Sequence, residues 1–554
     1  MSTLPAWRSR AWLALALVLT FAKLWLARGA GLYAIGSAAD NDRLYVELAH
    51  HLVHGNWLGP YTELTLAKGP FYPLFIAAAF GLGVPLLLAQ QFFYAAACAL
   101  FVRALRPAIA SAGARCAIYL LLLWNPMTFD AASMGRVLRQ HVYGPLVLMI
   151  VAGLVALYLR RNEPVRRQAA WAVLLGLAAA GFYLTGDTVG WLAAAVVVLG
   201  GAGVYGAAQV SRATLQRTAG LLGLAAVVAA LPVLLVCGEN RRNYGWFGTC
   251  EARSPDFHDA YAAMQRVRVG PELRYVPVTH EARDAMAKTG IMFAKLQPQF
   301  AASPTGWAGS AEYLTRVDVP ADQIGGGVMP GALRAATARA GYHHDAGQAR
   351  YFYKHLAQEL DQALDTGKLP EGSRVQPWVG AAAANAVSFA DFVVSFSRFS
   401  ARPPPSTGSA DELNLFRDVT GERLSPPAGE LDVVGAAEYL QNVARGDRLQ
   451  VIGKTLRPLL LGLILLAHGL VLARLVQVVR QRRWTFALTL AAAAWCAVAG
   501  AVLKDAVIEA TAYPVLSIVA FAPLYPLLLV FVAAVLWDAT AAWYPRRKVD
   551  APGS

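Results

Sequence analysis

Long stretches without a charge set the limits on what this chain can fold into. Residues 142–159 and 218–237 contain no Asp, Glu, Lys or Arg, and a helix of about 17–25 such residues crosses the hydrocarbon core of a bilayer. Further apolar runs fall at 12–26, 86–105, 114–126, 168–184, 189–208, 455–479, 484–503 and 513–538, and the second of the two blocks above belongs to a run over 215–237. Lipid offers no partners to backbone N–H and C=O groups, so spans of this kind are helices. The chain reads as an all-α polytopic membrane protein. Of its 554 residues 56% are hydrophobic and only 15% charged, against about 25% charged in a soluble domain. Those proportions exclude a soluble enzyme, a disordered chain and a disulfide scaffold.

The net charge of +14 points to membrane topology and not to nucleic acid, because Lys and Arg collect in cytoplasmic loops. One apolar run, 71–83, has roughly 13 residues, too few to cross, and fits an interfacial or re-entrant helix. If it does not cross, the basic clusters Arg103/Arg106/Arg115, Arg160/Arg161/Arg166/Arg167, Arg212/Arg217, Arg480/Arg482/Arg483 and Arg546/Arg547/Lys548 all share one side. If it crosses, most of them move outside. The expectation is therefore about ten spans, one juxtamembrane helix and both termini in the cytoplasm. The first run, with Lys23 and Arg28 at its end, is read as an uncleaved span.

Three parts follow: an N-terminal membrane module over 1–237, an external insert over 238–453, and C-terminal spans over 454–554. The insert reads as mainly helical. Ser254-Pro255-Asp256 starts a helix to about 268, with a cap residue, a proline at the first position and an acid facing the dipole. Thr279 opens another. Ala349, Phe352, Tyr353, Leu356, Leu360 and Ala363 repeat at helical spacing within 344–366, and Gly367 ends that helix. Pro403-Pro404-Pro405 reads as a linker or exposed loop.

The residues that could carry chemistry gather in the segments placed on the outer face. Leu44, Leu48 and Leu52 make an apolar stripe, which fits an amphipathic helix at the membrane surface. Asp40 and Asp42 stand at its start, where plain helix capping is the bland explanation. Lys68 precedes the short run and could be a snorkelling anchor. Arg136, Arg139 and Tyr143 share a helix face, with His141 beside them. Two arginines on the wrong side for the charge rule suit a phosphate, which guanidinium pairs with in bidentate fashion. Asp187, in Thr185-Gly186-Asp187, interrupts two apolar helices at the same face. Cys237 and Cys250 flank the start of the insert and could form a disulfide, since the outer compartment permits it.

Taken together, Asp40-Asn41-Asp42-Arg43-Leu44-Tyr45, Gly55-Asn56-Trp57 and Lys68-Gly69-Pro70-Phe71-Tyr72-Pro73 resemble the first external loop of GT-C glycosyltransferases. The nearest likeness is to the protein O-mannosyltransferase and lipid A aminoarabinose transferase branch. There an acidic pair precedes Arg/Tyr, and a Lys-Pro-Pro-like motif opens a juxtamembrane helix. Thr185-Gly186-Asp187 with Trp191 resembles a Thr-Arg-Glu-Glu…Trp motif of bacterial relatives. Two departures stand out: Asn41 splits the acidic pair, leaving open whether Asp40 or Asp42 is the base, and Gly186 replaces the arginine.

The resemblance implies transfer of a sugar from a polyprenyl-phosphate donor to a lipid, glycan or protein acceptor, at the outer face of a bacterial cytoplasmic membrane. A phosphate leaves as an anion, so one carboxylate base and a cationic clamp suffice, unlike the two-carboxylate glycosidase pattern. Asp40 or Asp42 would be the base. Lys68, Arg136 and Arg139, with His141, Tyr143 and Asp187, would hold the substrate. A divalent metal is compatible with this chemistry, but no ligand set is legible. A transporter or flippase of lipid-linked substrates is the first rival and requires ionisable groups at mid-membrane. A non-enzymatic assembly scaffold built on the insert is the second.

Overall fold

The computed structural model describes residues 6–36, 41–186, 190–301, 320, 322–372, 386–391, 393, 400–427, 436–481, 484–511, 515 and 517–543. Helices dominate, and among the described residues β structure is confined to isolated bridges. In chain order they are α1 (Ala6–Ala27), α2 (Asp42–Val53), α3 (Phe71–Gly81), α4 (Leu86–Ala104), α5 (Ala112–Leu123), α6 (Ala131–Met134), α7 (Gln140–Leu159), α8 (Val165–Thr185), α9 (Ala193–Ala208) and α10 (Arg212–Tyr244). The insert contributes α11 (Pro255–Arg266), α12 (His280–Thr289), α13 (Ile291–Ala301), α14 (Met329–Arg339), α15 (Ala346–Asp365) and α16 (Ala410–Thr420). The chain returns through α17 (Ala436–Gln481), α18 (Phe486–Thr511), α19 (Ser517–Phe521) and α20 (Tyr525–Trp543).

Nine of the described helices are long and apolar enough to cross a membrane: α1, α4, α7, α8, α9, α10, α17, α18 and α20. The run at 114–126, expected as a tenth, forms α5, of 12 residues, because Asn125 and Pro126 turn the chain into a short 3-10 segment; α5 lies alongside α1, Cys116 against Trp12 and Leu123 against Lys23, and carries the chain from the far end of α4 back to the start of α7. α7 sits at the centre, with nearly every side chain buried, and packs on α4, α8 and α9. α10 and α17, of 33 and 46 residues, far exceed the roughly 20 residues that a bilayer core needs, and so they stand out as stalks for the insert.

Both ends of α3 lie at the insert-bearing end of the bundle. Gly69 before it touches the last residues of α8, and Leu87 after it donates its N–H to Glu422 of the insert at 2.7 Å. The short helix therefore makes no crossing. The insert caps expected from the sequence form: Ser254 accepts from Phe257 N, Thr279 from Ala282 N and Asp345 from Gln348 N. Gly367 stops α15 with φ +71°. The Pro403–Pro405 segment is more than a loop. Beyond it Ser406 and Thr407 pair with Ala34 and Gly36, joining the insert to the first outer segment.

Two expectations need correction. The α2 stripe does not face lipid, since Leu44 and Leu48 are covered by Leu58, Leu66, Tyr244 and Ala346. Nor does Lys23 reach water from the end of the first span: it is 1% exposed and donates to Leu123 O at 2.6 Å and Thr128 Oγ1 at 2.7 Å, closing the end of α5. Cys237 and Cys250 are both free thiols. Cys237 lies seven residues before the end of α10, about 10 Å down the helix, whereas the Cys250 thiol turns onto the Ala67 carbonyl at 3.2 Å.

Candidate active site

The segment between α2 and α3 is held by the start of the insert. Tyr61 donates to Glu251 at 2.5 Å, Glu251 pairs with Arg334 of α14 at 2.6 Å, and Arg334 donates to Glu63 O at 2.6 Å. Trp57 donates to Asn240, and Tyr244 to Gly59 O, each at 2.8 Å. Glu251 and Arg334 are nearly inaccessible, so this ion pair is a buried joint between loop and insert. Burial, reinforced by Arg334, pushes the neighbouring His343 down to about 3.

This joint delivers Lys68 to the start of α2. Lys68 Nζ donates to Asn41 Oδ1 and lies 5.4 Å from the centre of the Tyr45 ring. Asn41 is the residue that splits the acidic pair. Next to it Asp42 is fully buried and takes both its hydrogen bonds from one guanidinium: Arg136 Nε at 3.0 Å and Nη2 at 2.5 Å. Arg43 turns the other way, to Glu47 at 2.6 Å and to Glu412 of α16 at 2.7 Å. Asp40 lies outside the described residues, as does Asp187.

Beneath these groups runs a chain of buried polar rings. Tyr45 and Tyr72 meet edge to face at 5.1 Å. The Tyr72 hydroxyl accepts from Gln90 at 2.8 Å and lies 3.4 Å from His141 Nδ1. His141 Nε2 bonds to Ser133 O, so His141 props the α6–α7 corner that carries Arg136 and Arg139. Arg139 stands at the cap of α7, half-buried.

The Thr185-Gly186 turn reaches the same place. A Cβ on Gly186 would lie 2.1 Å from the Tyr143 hydroxyl, and one on Gly69 would lie 2.0 Å from Leu184 O. Only glycine admits these approaches. They bring the lysine motif, the α7 face and the end of α8 into contact. Phe182 links Tyr143 and Trp191 through edge-to-face contacts at 5.5 and 5.6 Å.

One cation had no signal in the sequence. Arg253, in the turn after Cys250, stacks over Tyr183 at 4.4 Å and donates to its carbonyl at 3.1 Å. Its Nε and Nη1 are buried with no hydrogen-bond partner among the described residues, an arrangement that calls for an acceptor. Only the fold reveals it, since nothing in Glu251-Ala252-Arg253 marks a site. Among the described residues no three His, Cys, Asp or Glu side chains gather as a metal site.

The chain is thus a multi-pass helical membrane protein with a cation-rich site where its bundle meets its insert. Two solved structures are similar to it: ArnT from Cupriavidus metallidurans in the apo state (15% identity, 97% of this chain and 80% of that chain, TM-score 0.33) and the same protein bound to undecaprenyl phosphate (15% identity, 98% and 80%, TM-score 0.32). No protein-family model matches the sequence, and no curated protein matches it significantly.

Proposed function

We propose that this protein is an integral membrane glycosyltransferase that moves a sugar from a polyprenyl-phosphate donor to an acceptor hydroxyl at the outer face of the membrane. The observation that carries the reading is the meeting of Asn41, the Asp42–Arg136 pair, Lys68 and the Gly186 turn at the insert-bearing end of the spans. A membrane-bound donor and a water-borne or lipid acceptor can both reach that level. The acceptor oxygen attacks the anomeric carbon, the bond from that carbon to the phosphate oxygen breaks, and the polyprenyl phosphate departs as an anion. The acceptor proton goes to a carboxylate.

Asp42 has both oxygens engaged by Arg136, which supports a positioning role for it, with Asp40 as the proposed base. Lys68, Arg139 and Arg253 are the cations proposed to hold the donor phosphate, as donors aimed at the charge that develops on the leaving group. His141 and Tyr143 act through the corner and the turn that they support, and Asp187 is proposed to orient the sugar. Among the described residues the buried Lys, Arg and Asp side chains of the spans, Lys23, Arg160, Asp505 and Asp538, lie within about two turns of a helix end, as Lys23 does beside Leu123 and Thr128. That placement favours an interfacial enzyme over a transporter with a polar path at mid-membrane.

The test is transfer of radiolabelled sugar from a panel of polyprenyl-phosphate sugars, in membranes with and without the protein and with and without a chelator. Asp40→Asn should lower transfer by about 10²–10⁴-fold, the usual contribution of a general base, in a protein that still inserts. Undiminished transfer by Asp40→Asn and by Lys68→Ala would reject the mechanism.

A further inference from the structure

A groove of about 520 Å³ lies between α1 and α17, lined by Ala22, Trp25, Leu26, Asp447, Arg448, Val451 and Ile452. Its volume falls within the about 300–1,000 Å³ of small-ligand sites. α1 packs chiefly on α4, α5 and α17, and none of these carries Asp42, Lys68, Arg136 or Arg139. The groove therefore belongs to a different part of the molecule from the site above. Its walls are lipid-facing. Phe21 is 67%, Trp25 49% and Val451 64% exposed, on helices that both qualify as spans.

The cations at its rim are the informative feature. Arg445 and Arg448 both lie over the Trp25 ring, at 4.7 and 5.7 Å. They are three residues apart, hence on one helix face. The neighbouring acid does not neutralise them, because Asp447 is held by Arg402 through contacts at 2.5 and 2.6 Å. Among the described residues neither Arg445 nor Arg448 forms a salt bridge. The position just beyond the end of α1 is kept clear for one of them: a Cβ on Gly29 would lie 2.5 Å from Arg445 Cδ. A tryptophan at a helix end marks the headgroup level, and guanidinium at that level pairs in bidentate fashion with phosphate.

We propose that this groove binds one anionic glycerophospholipid of the surrounding bilayer, with an acyl chain along Trp25, Val451 and Ile452 and the headgroup phosphate on Arg445 and Arg448. Charge complementarity selects the occupant. Arg402 offsets Asp447, so the rim carries two cations in excess beside an apolar trough; they fit a lipid whose head carries net negative charge and give a zwitterionic lipid, with its own cation, less to gain.

The full-length protein, purified and delipidated in detergent, is titrated with dioleoyl-phosphatidylglycerol or dioleoyl-phosphatidylcholine, and bound lipids are counted by native mass spectrometry. One phosphatidylglycerol should bind about tenfold more tightly than phosphatidylcholine. The double variant Arg445→Gln/Arg448→Gln should lose that preference, and Val451→Trp, which fills the trough, should weaken both lipids. Equal binding of the two lipids, or a preference unchanged in the arginine variant, overturns the proposal. So does undecaprenyl phosphate displacing phosphatidylglycerol with the same arginine dependence, which would assign the groove to the donor lipid.

Discussion

Asp42 and Arg136 are joined by two hydrogen bonds in a setting where the carboxylate is wholly buried and the guanidinium only 14% exposed. Removing one member of such a pair strands the other, at a cost of about 3–5 kcal/mol, whereas replacing both by neutral groups costs much less. Arg136→Met should therefore lower the melting temperature in detergent strongly, and Asp42→Asn/Arg136→Met should recover a large part of the loss. If the single and double variants melt alike, the two groups do not act as a pair. The sequence placed these residues on the right face but could not pair them. The aspartate and the arginine are 94 positions apart, and the i, i+3, i+4 spacing of Arg136, Arg139 and Tyr143 says only that they share a surface. The two glycines were equally opaque. Gly186 looked like a lost arginine, yet its lack of a side chain is what lets the Tyr143 hydroxyl approach the turn.

At the scale of elements, the insert is fastened to the bundle by two carboxylates, Asp130, which is fully buried, and Glu422, which is half-buried. Glu422 accepts from Leu87 N and caps the start of α4, a span that begins after Pro85 with no side-chain cap of its own. Asp130 caps α6 and accepts from Ser400 N at 3.1 Å. Burial pushes Glu422 up to about 7 and Asp130 up to about 6, outweighing the N–H donors that act the other way. The folded protein thus holds protons that the unfolded chain releases at ordinary carboxylate values. Stability falls as pH climbs from about 4.5 to 7, by roughly 3 kcal/mol for Glu422. Buried His343 acts the other way below about pH 6.5, so the Glu422 share is read as a difference: from pH 5 to pH 8 the melting temperature of the protein should fall relative to that of Glu422→Gln, which still offers an acceptor to Leu87. A slope unchanged by Glu422→Gln would show that the protons sit elsewhere. The residual slope below about pH 6 combines Asp130, which lowers stability as pH rises, with His343, which raises it. The helices of the insert were readable from local signals, because caps and apolar periodicity act within a few residues. Its attachments were not: the bridges from Leu32 to Leu424 and from Ile35 to Thr407 join segments with no local signature. The burial of α2 beneath the insert hid for the same reason, since an apolar stripe looks alike whether lipid or protein covers it.

For the whole molecule, the placement of the site depends on one topological choice. Hydropathy gave the spans, because lipid enforces helices of a set length, and the charge rule then had to choose between two phases. The fold bears on that choice through contacts at both ends of the bundle. At the end remote from the insert, Arg160 donates to Ala104 O at 2.8 Å and Arg103 O at 2.6 Å, and Asp538 holds Arg474 at 2.7 Å. α3 begins and finishes at the other end. The loop after α3 and the loop between α7 and α8 should therefore face opposite sides of the membrane. Single cysteines at Val84 and Pro164, placed in a background with the five native cysteines replaced, are treated in intact cells with an impermeant thiol reagent and again after permeabilisation. Val84→Cys should label in intact cells, and Pro164→Cys only after permeabilisation. Labelling of both or of neither in intact cells would contradict the odd number of crossings, through α4, α5 and α7, that separates the two loops. The reverse pattern would sink the topology: it puts Val84 in the cytoplasm, so that α3 crosses or the bundle is inverted, and the proposed transfer at the outer face could not occur as placed. The expected pattern places Lys68, the Asp42–Arg136 pair and the insert together on the outer side, with the clusters at Arg103/Arg106 and Arg160/Arg161 inside, as the charge rule requires.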